Sequence, residues 1–279
     1  MTSATSLQNT LKFARSYLFV PASRTERIAK ALAARADVVI VDLEDAVALE
    51  SKQTARSQLA QYLDAAPADT RLVVRINAIE TEWYASDAEL CRHRAVTAVM
   101  LPKAEHAQSL ADLTAKLASE KPLIPLVETA RGVWNAKEIA AAPNVLRLAL
   151  GPLDLQVDLG VQGDEALAPH RAHLVLASRV AGVLAPIDGP TASFDDAAVI
   201  SADAQRGRRE GFSGKLCIHP KQVDAVNGAF SPSAAEIEWA QRVMAVNQAS
   251  GGQAATLDGA MLDRPVYARA EAILQRVRS

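Results

Sequence analysis

The chain has 279 residues, 49% of them hydrophobic, with 30 Lys plus Arg against 32 Asp plus Glu and a formal net charge of -2. That is enough apolar sequence to bury a sizeable core in one large domain, and the basic residues are too dispersed to form an electrostatic footprint for nucleic acid. The apolar runs are strand-sized rather than the roughly 20 residues of a membrane-spanning helix, the first residues lack a secretory apolar centre, and Cys91 and Cys217 form no paired motif; these features predict a cytoplasmic protein in a reducing compartment, with no membrane or nucleic-acid partner.

In chain order, the runs SYLFVPA, VVIVDLE, LVVRIN, AVMLPK, LIPLVE, LRLALGP, a weaker VLAPIDG and KLCIHP read as strands. Between them lie Ala-rich amphipathic stretches such as RTERIAKALAARA and SLADLTAKLASE, which read as helices. Strands buried on both faces and each followed by a helix make a parallel α/β sheet. Eight such units predict a TIM (β/α)8 barrel, with an open doubly wound sheet as the alternative. No G-x-G-x-x-G follows the first strand and no G-x-x-x-x-G-K-[ST] is present, so neither a dinucleotide fold nor a P-loop is supported.

After the last strand SPSAAEIEWAQRVMAVNQAS reads as a helix, SGGQAA as a hinge, and DRPVYARAEAILQRV as a final helix with Pro265 in its first turn. The expected organisation is an N-terminal tail (1–15), a catalytic barrel (16–230) and a C-terminal helical extension or lid (231–279).

In a barrel, polar groups at strand C-termini gather at one mouth, where such folds place their chemistry. Here they are Asp42, Glu44 and Asp45 after the second strand, Arg75 and Asn77 at the third, Lys103 at the fourth, Glu128 and Arg131 at the fifth, Asp154 at the sixth, Asp188 at the seventh and His219 at the eighth. Several carboxylates without a Cys/His cluster make a hard-oxygen site suited to Mg2+ or Mn2+, which takes only one or two protein carboxylates. Glu128 and Asp154, on neighbouring strands, are the expected metal ligands, with Asp42, Glu44 and Asp45 behind them orienting metal waters or Arg75. The planar fork of Arg75 suits a carboxylate or a developing enolate oxygen, or else a salt bridge with Glu44 or Asp45. None of the five histidines has metal spacing, His219 reads as a structural turn, and no G-x-S-x-G elbow is present.

Taken together, RSYLFVPA, VDLEDAV, VVRIN, MLPK, PLVETARGV, LALGPLDLQVDLG, CIHPKQV and GAMLDRPV resemble, in order, the motifs of the citrate lyase β-subunit-like enzymes of the HpcH/HpaI aldolase superfamily. The resemblance implies a TIM barrel, usually trimeric or hexameric, that uses Mg2+ to cleave or form a carbon–carbon bond in a 3-hydroxyacyl thioester such as citryl-, malyl- or citramalyl-CoA. It implies that Glu128 and Asp154 are metal ligands, Arg75 the substrate arginine, and Asp263 in MLDRP an acid delivered by the C-terminal segment to a neighbouring subunit. It also implies that Arg24 and Lys30 meet CoA phosphates. For such a reaction, backbone N–H groups around Pro152, Leu153 and Asp154 are expected to hold the substrate carboxylate. PASRTER after the first strand departs from the Gly-Asn-Asn turn more usual in citrate lyase complex subunits, which weighs against a carrier-protein substrate. The readings left beside the lyase are a carrier-dependent citrate lyase β subunit, a CoA-independent pyruvate-type aldolase, and hydrolysis of a malyl thioester.

Overall fold

The computed structural model describes residues 10–251 and 253–277. Eight strands, β1 (Ser16–Pro21), β2 (Val38–Asp42), β3 (Leu72–Arg75), β4 (Val96–Leu101), β5 (Leu123–Val127), β6 (Ala149–Leu150), β7 (Ile187–Asp188) and β8 (Gly214–Cys217), pair in parallel in chain order. Because β1 pairs with β8 as well as with β2, the sheet closes and the open-sheet alternative falls. Helices follow the strands and cover the outside, as the alternation of the sequence requires.

Side chains alternate across each strand, so residues of one parity fill the barrel and those of the other meet the helices. Ile40, Val73, Met100, Leu126, Ile187 and Leu216 belong to the inner cluster, whereas Val41, Val74, Leu101, Val127 and Cys217 belong to the larger outer one. Continuing the inner parity by one step past these residues reaches Asp42, Arg75, Glu128 and Ile218. The same alternation that packs the core thus aims these side chains into the mouth.

The ladders at β6 and β7 are shorter than the apolar runs LRLALGP and VLAPIDG suggest, since Pro186 can donate no ladder hydrogen bond. Backbone bonds from Leu184 to Leu146 and from Ile187 to Leu148 still hold the two segments together.

Beyond the barrel, Ser233 and Glu236 form a capping box that starts the helix Ala234–Ala249. A hairpin follows, β9 (Ala255–Leu257) and β10 (Ala260–Leu262), and then the helix Arg264–Val277. The hairpin is an addition to the sequence reading, which placed a hinge at SGGQAA and a helix at DRPVYARAEAILQRV and assigned no element to the residues between them. Its turn has Asp258 and Gly259 both in the left-handed region (φ 52 and 79), the geometry that suits the twist of two-residue hairpins. Two helices and hairpin share a separate small core of Ala240, Val243, Leu262, Tyr267 and Ala270. An Arg208–Glu236 ion pair of 2.7 Å ties the extension to the barrel helix Ala197–Glu210. Among the described residues no helix is long and apolar enough to cross a membrane.

Candidate active site

Arg75 ends β3 opposite Asp42 of β2, and their registered Cα atoms place guanidinium beside carboxylate. Nε and Nη2 of Arg75 donate to the two oxygens of Asp42 at 2.7 and 2.6 Å, a fork-to-fork pair. The third nitrogen, Nη1, stands 3.1 Å from Glu44 and 3.6 Å from Asp45. Burial opposes the charge of Arg75, but Asp42, Glu44 and Asp45 more than offset it and hold its pKa above the ordinary value. The guanidinium also lies over the ring of Phe19.

The loop after β2 is built to hold this arrangement. Asp42 accepts the amides of Glu44 and Ala46, and the buried Lys52 donates its ammonium to the carbonyls of Leu43 and Glu44 at 2.8 and 2.7 Å. Lys52 is a positioning residue that the sequence reading missed; nothing in LESKQTAR separates it from a solvated lysine at a helix start.

Glu128 follows β5 and is only 2% exposed. Its Oε1 accepts the amide of Lys103 at 2.8 Å. That amide faces Glu128 from a residue at φ 49, a left-handed backbone that is uncommon for a non-glycine residue. Its Oε2 faces Gly151, where a Cβ would collide with it, so the glycine after β6 makes room for the carboxylate. Burial, then the charge of Glu44, push the Glu128 carboxyl up to about 8, with the Lys103 amide pulling it down and Asp154 adding to the rise. Glu44 is itself pushed up to about 7, mainly by burial; Arg75 opposes and Asp45 reinforces. Its Oε1 is 3.4 Å from the ammonium of Lys103, and its Oε2 has no hydrogen bond.

Asp154 lies in the first turn of the helix Pro152–Leu159 and is exposed. Its carboxylate makes no hydrogen bond or ion pair among the described residues. Together with Phe19, Asp42, Asp45, Arg75, Leu126, Glu128, Gly151, Leu153 and Ile218, it lines a cavity of about 370 Å3 at the barrel mouth. A buried carboxylate short of positive charge, a glycine cradle beside it and an unpaired carboxylate on the same wall fit a hard divalent cation. Among the described residues no group of three or more His, Cys, Asp or Glu is placed to hold a metal ion.

The other expected residues fall differently. Leu153 lines the cavity, but Arg24 and Lys30 are exposed on the chain after β1 and lie off its wall, Arg24 being paired with Glu26 at 2.7 Å. Asp263 is exposed and not on the cavity wall of its own chain; it caps the helix Arg264–Val277 through the amide of Val266. Asn77 turns away to Asp87, which also takes Arg56. Arg131 is mostly exposed and approaches Glu105 at 3.6 Å. His219 caps the turn Pro220–Gln222 by accepting the amide of Lys221, the structural role its CIHP context suggested.

Asp188 requires a correction. It was expected at the mouth, but it follows the inward Ile187 and therefore points outward, into the helix layer. There it is 1% exposed and bonds Arg171 at 2.6 Å and the fully buried ammonium of Lys215 at 2.9 Å. Lys215 in turn reaches Asp203 at 2.8 Å.

The profile described as HpcH/HpaI aldolase/citrate lyase matches residues 15–220. A (3S)-malyl-CoA thioesterase of Cereibacter sphaeroides is 37% identical over 273 residues, covering 93% of this chain and 95% of the relative. A citrate lyase subunit beta-like protein of Mycobacterium tuberculosis is 40% identical over 269 residues, covering 93% and 94%. The crystal structure of CitE from M. tuberculosis in complex with magnesium, acetoacetate and coenzyme A has a TM-score of 0.82 at 36% identity, covering 95% of this chain and 98% of that one. The citrate lyase beta subunit from the same organism complexed with oxaloacetate and magnesium has a TM-score of 0.71 at 37% identity, with 80% and 100% covered.

Proposed function

This chain belongs to the HpcH/HpaI aldolase/citrate lyase family, and from that premise we propose that it cleaves, or in reverse forms, the carbon–carbon bond of a 3-hydroxyacyl-CoA thioester, giving acetyl-CoA and a 2-oxo acid. The observation that carries the reading is the pairing of a buried, charge-starved Glu128 with a partnerless Asp154 on one cavity wall, across from a clamped Arg75.

In this reading Glu128 and Asp154 hold Mg2+. The bound ion supplies Lewis acidity and a template for the hydroxyl and carboxylate of the substrate. The chain's own residues do the rest. In cleavage the hydroxyl gives its proton to water at the open mouth, and the electrons left on its oxygen form the new carbonyl. The carbon–carbon bond breaks, and its electron pair passes to the thioester as an enolate. Arg75 Nη1, the nitrogen not committed to Asp42, faces that growing oxyanion, and the Asp42 clamp fixes its direction beforehand. Leu126 and Phe19 keep the wall behind it apolar, which strengthens the electrostatic term. The enolate must then take a proton at carbon. Asp263 has the chemistry for that step, and since it stands off its own chain's cavity wall, the C-terminal segment of a second copy would bring it in. Arg24 and Lys30, exposed beyond the end of β1, suit the phosphates of CoA.

The test is a panel of malyl-, citramalyl- and citryl-CoA with Mg2+, read as acetyl-CoA release. Absence of acetyl-CoA from all three would reject the lyase. A second reading, thioester hydrolysis, is favoured by the 37% identity to a (3S)-malyl-CoA thioesterase. It predicts free CoA thiol without acetyl-CoA, so one thiol assay beside the acetyl-CoA measurement separates the two.

A further inference from the structure

The run CIHPKQV holds a glutamine to which the reaction above assigns no task. Gln222 is 1% exposed and bonds in both directions. Its Oε1 accepts the amides of Ile218 and His219 at 2.8 and 3.2 Å, and its Nε2 donates to the carbonyls of Thr191 and Ser193 at 2.8 and 2.9 Å. One buried amide therefore clasps the loop after β8 to the loop after β7. Removing it would leave buried backbone groups of both loops without partners.

The loop after β7 is fixed at other points as well. Asp188 at its start accepts the Gly189 amide at 2.8 Å, while Arg171 and Lys215 hold the same carboxylate from the helix layer. The Thr191 hydroxyl donates to Asp203 at 2.5 Å, and Asp203 is the second acid on Lys215. Between these anchors Gly189 lies against the ring of Pro152, so closely that a Cβ there would collide with it. Pro152 begins the helix that carries Asp154, and the residue before it, Gly151, lies against Glu128. The start of the Asp154 helix is thus seated between the Glu128 carboxylate and residues 188–193.

We propose that Gln222, together with Thr191, positions Asp154: by fixing residues 188–193 against Pro152, the two side chains set where the Asp154 carboxylate stands relative to Glu128, and with it the affinity of that pair for a divalent cation. The inference rests on the reading that these two acids hold Mg2+. A cation shared by two carboxylates needs both at bonding distance at once, so freedom in the loop behind one of them weakens binding although neither ligand has changed.

Mg2+ binding measured by calorimetry on the full chain tests this without relying on turnover, at a temperature where circular dichroism shows each protein folded. Gln222→Met keeps the length of the side chain and loses its hydrogen bonds; it is expected to raise the Mg2+ dissociation constant about tenfold. Thr191→Val removes only the bond to Asp203 and is expected to raise it by a smaller factor. Tyr17→Phe is the control: it takes a buried hydroxyl from Arg147 at the opposite end of the barrel and should leave Mg2+ binding unchanged. Wild-type affinity in either folded variant would overturn the inference while leaving the metal reading in place. An equal weakening in Tyr17→Phe would overturn it too, since it would mark a general loosening of the barrel. Should Gln222→Met not fold, Thr191→Val decides by the same measure. No Mg2+ binding by the wild type would remove the metal reading itself, and this inference with it.

Discussion

Glu128→Gln is expected to make the metal-free protein more stable and at the same time unable to use Mg2+. The folded chain holds a proton on Glu128 up to about pH 8, whereas the same group unfolded releases it near 4.5. Between those values the folded state binds more protons than the unfolded state, so the contribution of Glu128 to stability falls as pH rises through this window. Below 4.5 the group contributes nothing, and above about 8 its full cost is present. At pH 7 the difference of some two and a half pH units from 4.5, at about 1.4 kcal/mol per unit, gives a cost of roughly 3 kcal/mol. Glutamine keeps the acceptor for the Lys103 amide and has no charge to desolvate. Glu44, raised to about 7 mainly by its own burial, adds its charge to the rise at Glu128, so the variant's advantage steepens as Glu44 ionises.

The assay is thermal unfolding from pH 5 to 8.5 in chelator, wild type beside Glu128→Gln. The variant's advantage is expected to grow with pH to several degrees near neutrality. Adding Mg2+ should raise the wild-type midpoint, by about 2.7 kcal/mol of stability at a hundredfold excess over its dissociation constant, and leave the variant where it was. Parallel pH curves for the two proteins, or an equal response to Mg2+, would refute the argument that this carboxylate is buried in want of a cation.

Other outcomes follow from the same geometry. Gly151→Ala puts a Cβ against Glu128 Oε2 and is expected to weaken Mg2+ binding at least tenfold by calorimetry, with a stability loss of about 1–3 kcal/mol from overpacking. Arg75→Lys cannot span both oxygens of Asp42 and leaves a buried acid short of donors; about a hundredfold loss in kcat is expected in the acetyl-CoA release assay, since an ammonium cannot hold the oxyanion-facing geometry. Lys215→Met removes the ammonium shared by Asp188 and Asp203, leaving each acid a single arginine partner, and is expected to cost about 2–3 kcal/mol in urea unfolding, part of which Lys215→Met with Asp188→Asn recovers. A Lys215→Met protein as stable as the wild type would show that Asp188 is not the buried structural acid described here.

The strand count, the closed barrel and the mouth residues Asp42, Arg75, Glu128 and Asp154 were legible because most of the apolar runs are followed within a few residues by a polar or charged group, and an unpaired charge is costly in a strand buried on both faces. Which way the final residue faces was not. A parallel strand is apolar on both faces, so VLAPIDG carries no alternation from which to read that Ile187 points inward and Asp188 outward; only the register with β6 and β8 decides it. The hairpin was within reach of the sequence, since Asp258-Gly259 between TL and AM is a two-residue turn signal, but its strands are three residues each and mostly exposed. The roles of Lys52 and Lys103 depend on loop backbone, a buried approach to two carbonyls and a φ of 49, which residue type does not encode.

These features share one energetic logic. The Arg75 guanidinium is engaged first by Asp42, so little of its charge is left to steady Glu128, and the lowering that Lys103 supplies there comes from its backbone amide. A fold selected for stability alone would put a neutral side chain at position 128, as the glutamine comparison measures. The barrel instead spends its positive charge where it is permanently needed, on Asp42 at the mouth and on Asp188 and Asp203 in the helix layer. One acid is left in deficit beside an open glycine position. In the proposed reading such a deficit makes the site an acceptor: the free energy that Glu128 loses on folding would be regained when a hard cation arrives, so metal affinity and metal-free instability would be two measures of the same charge.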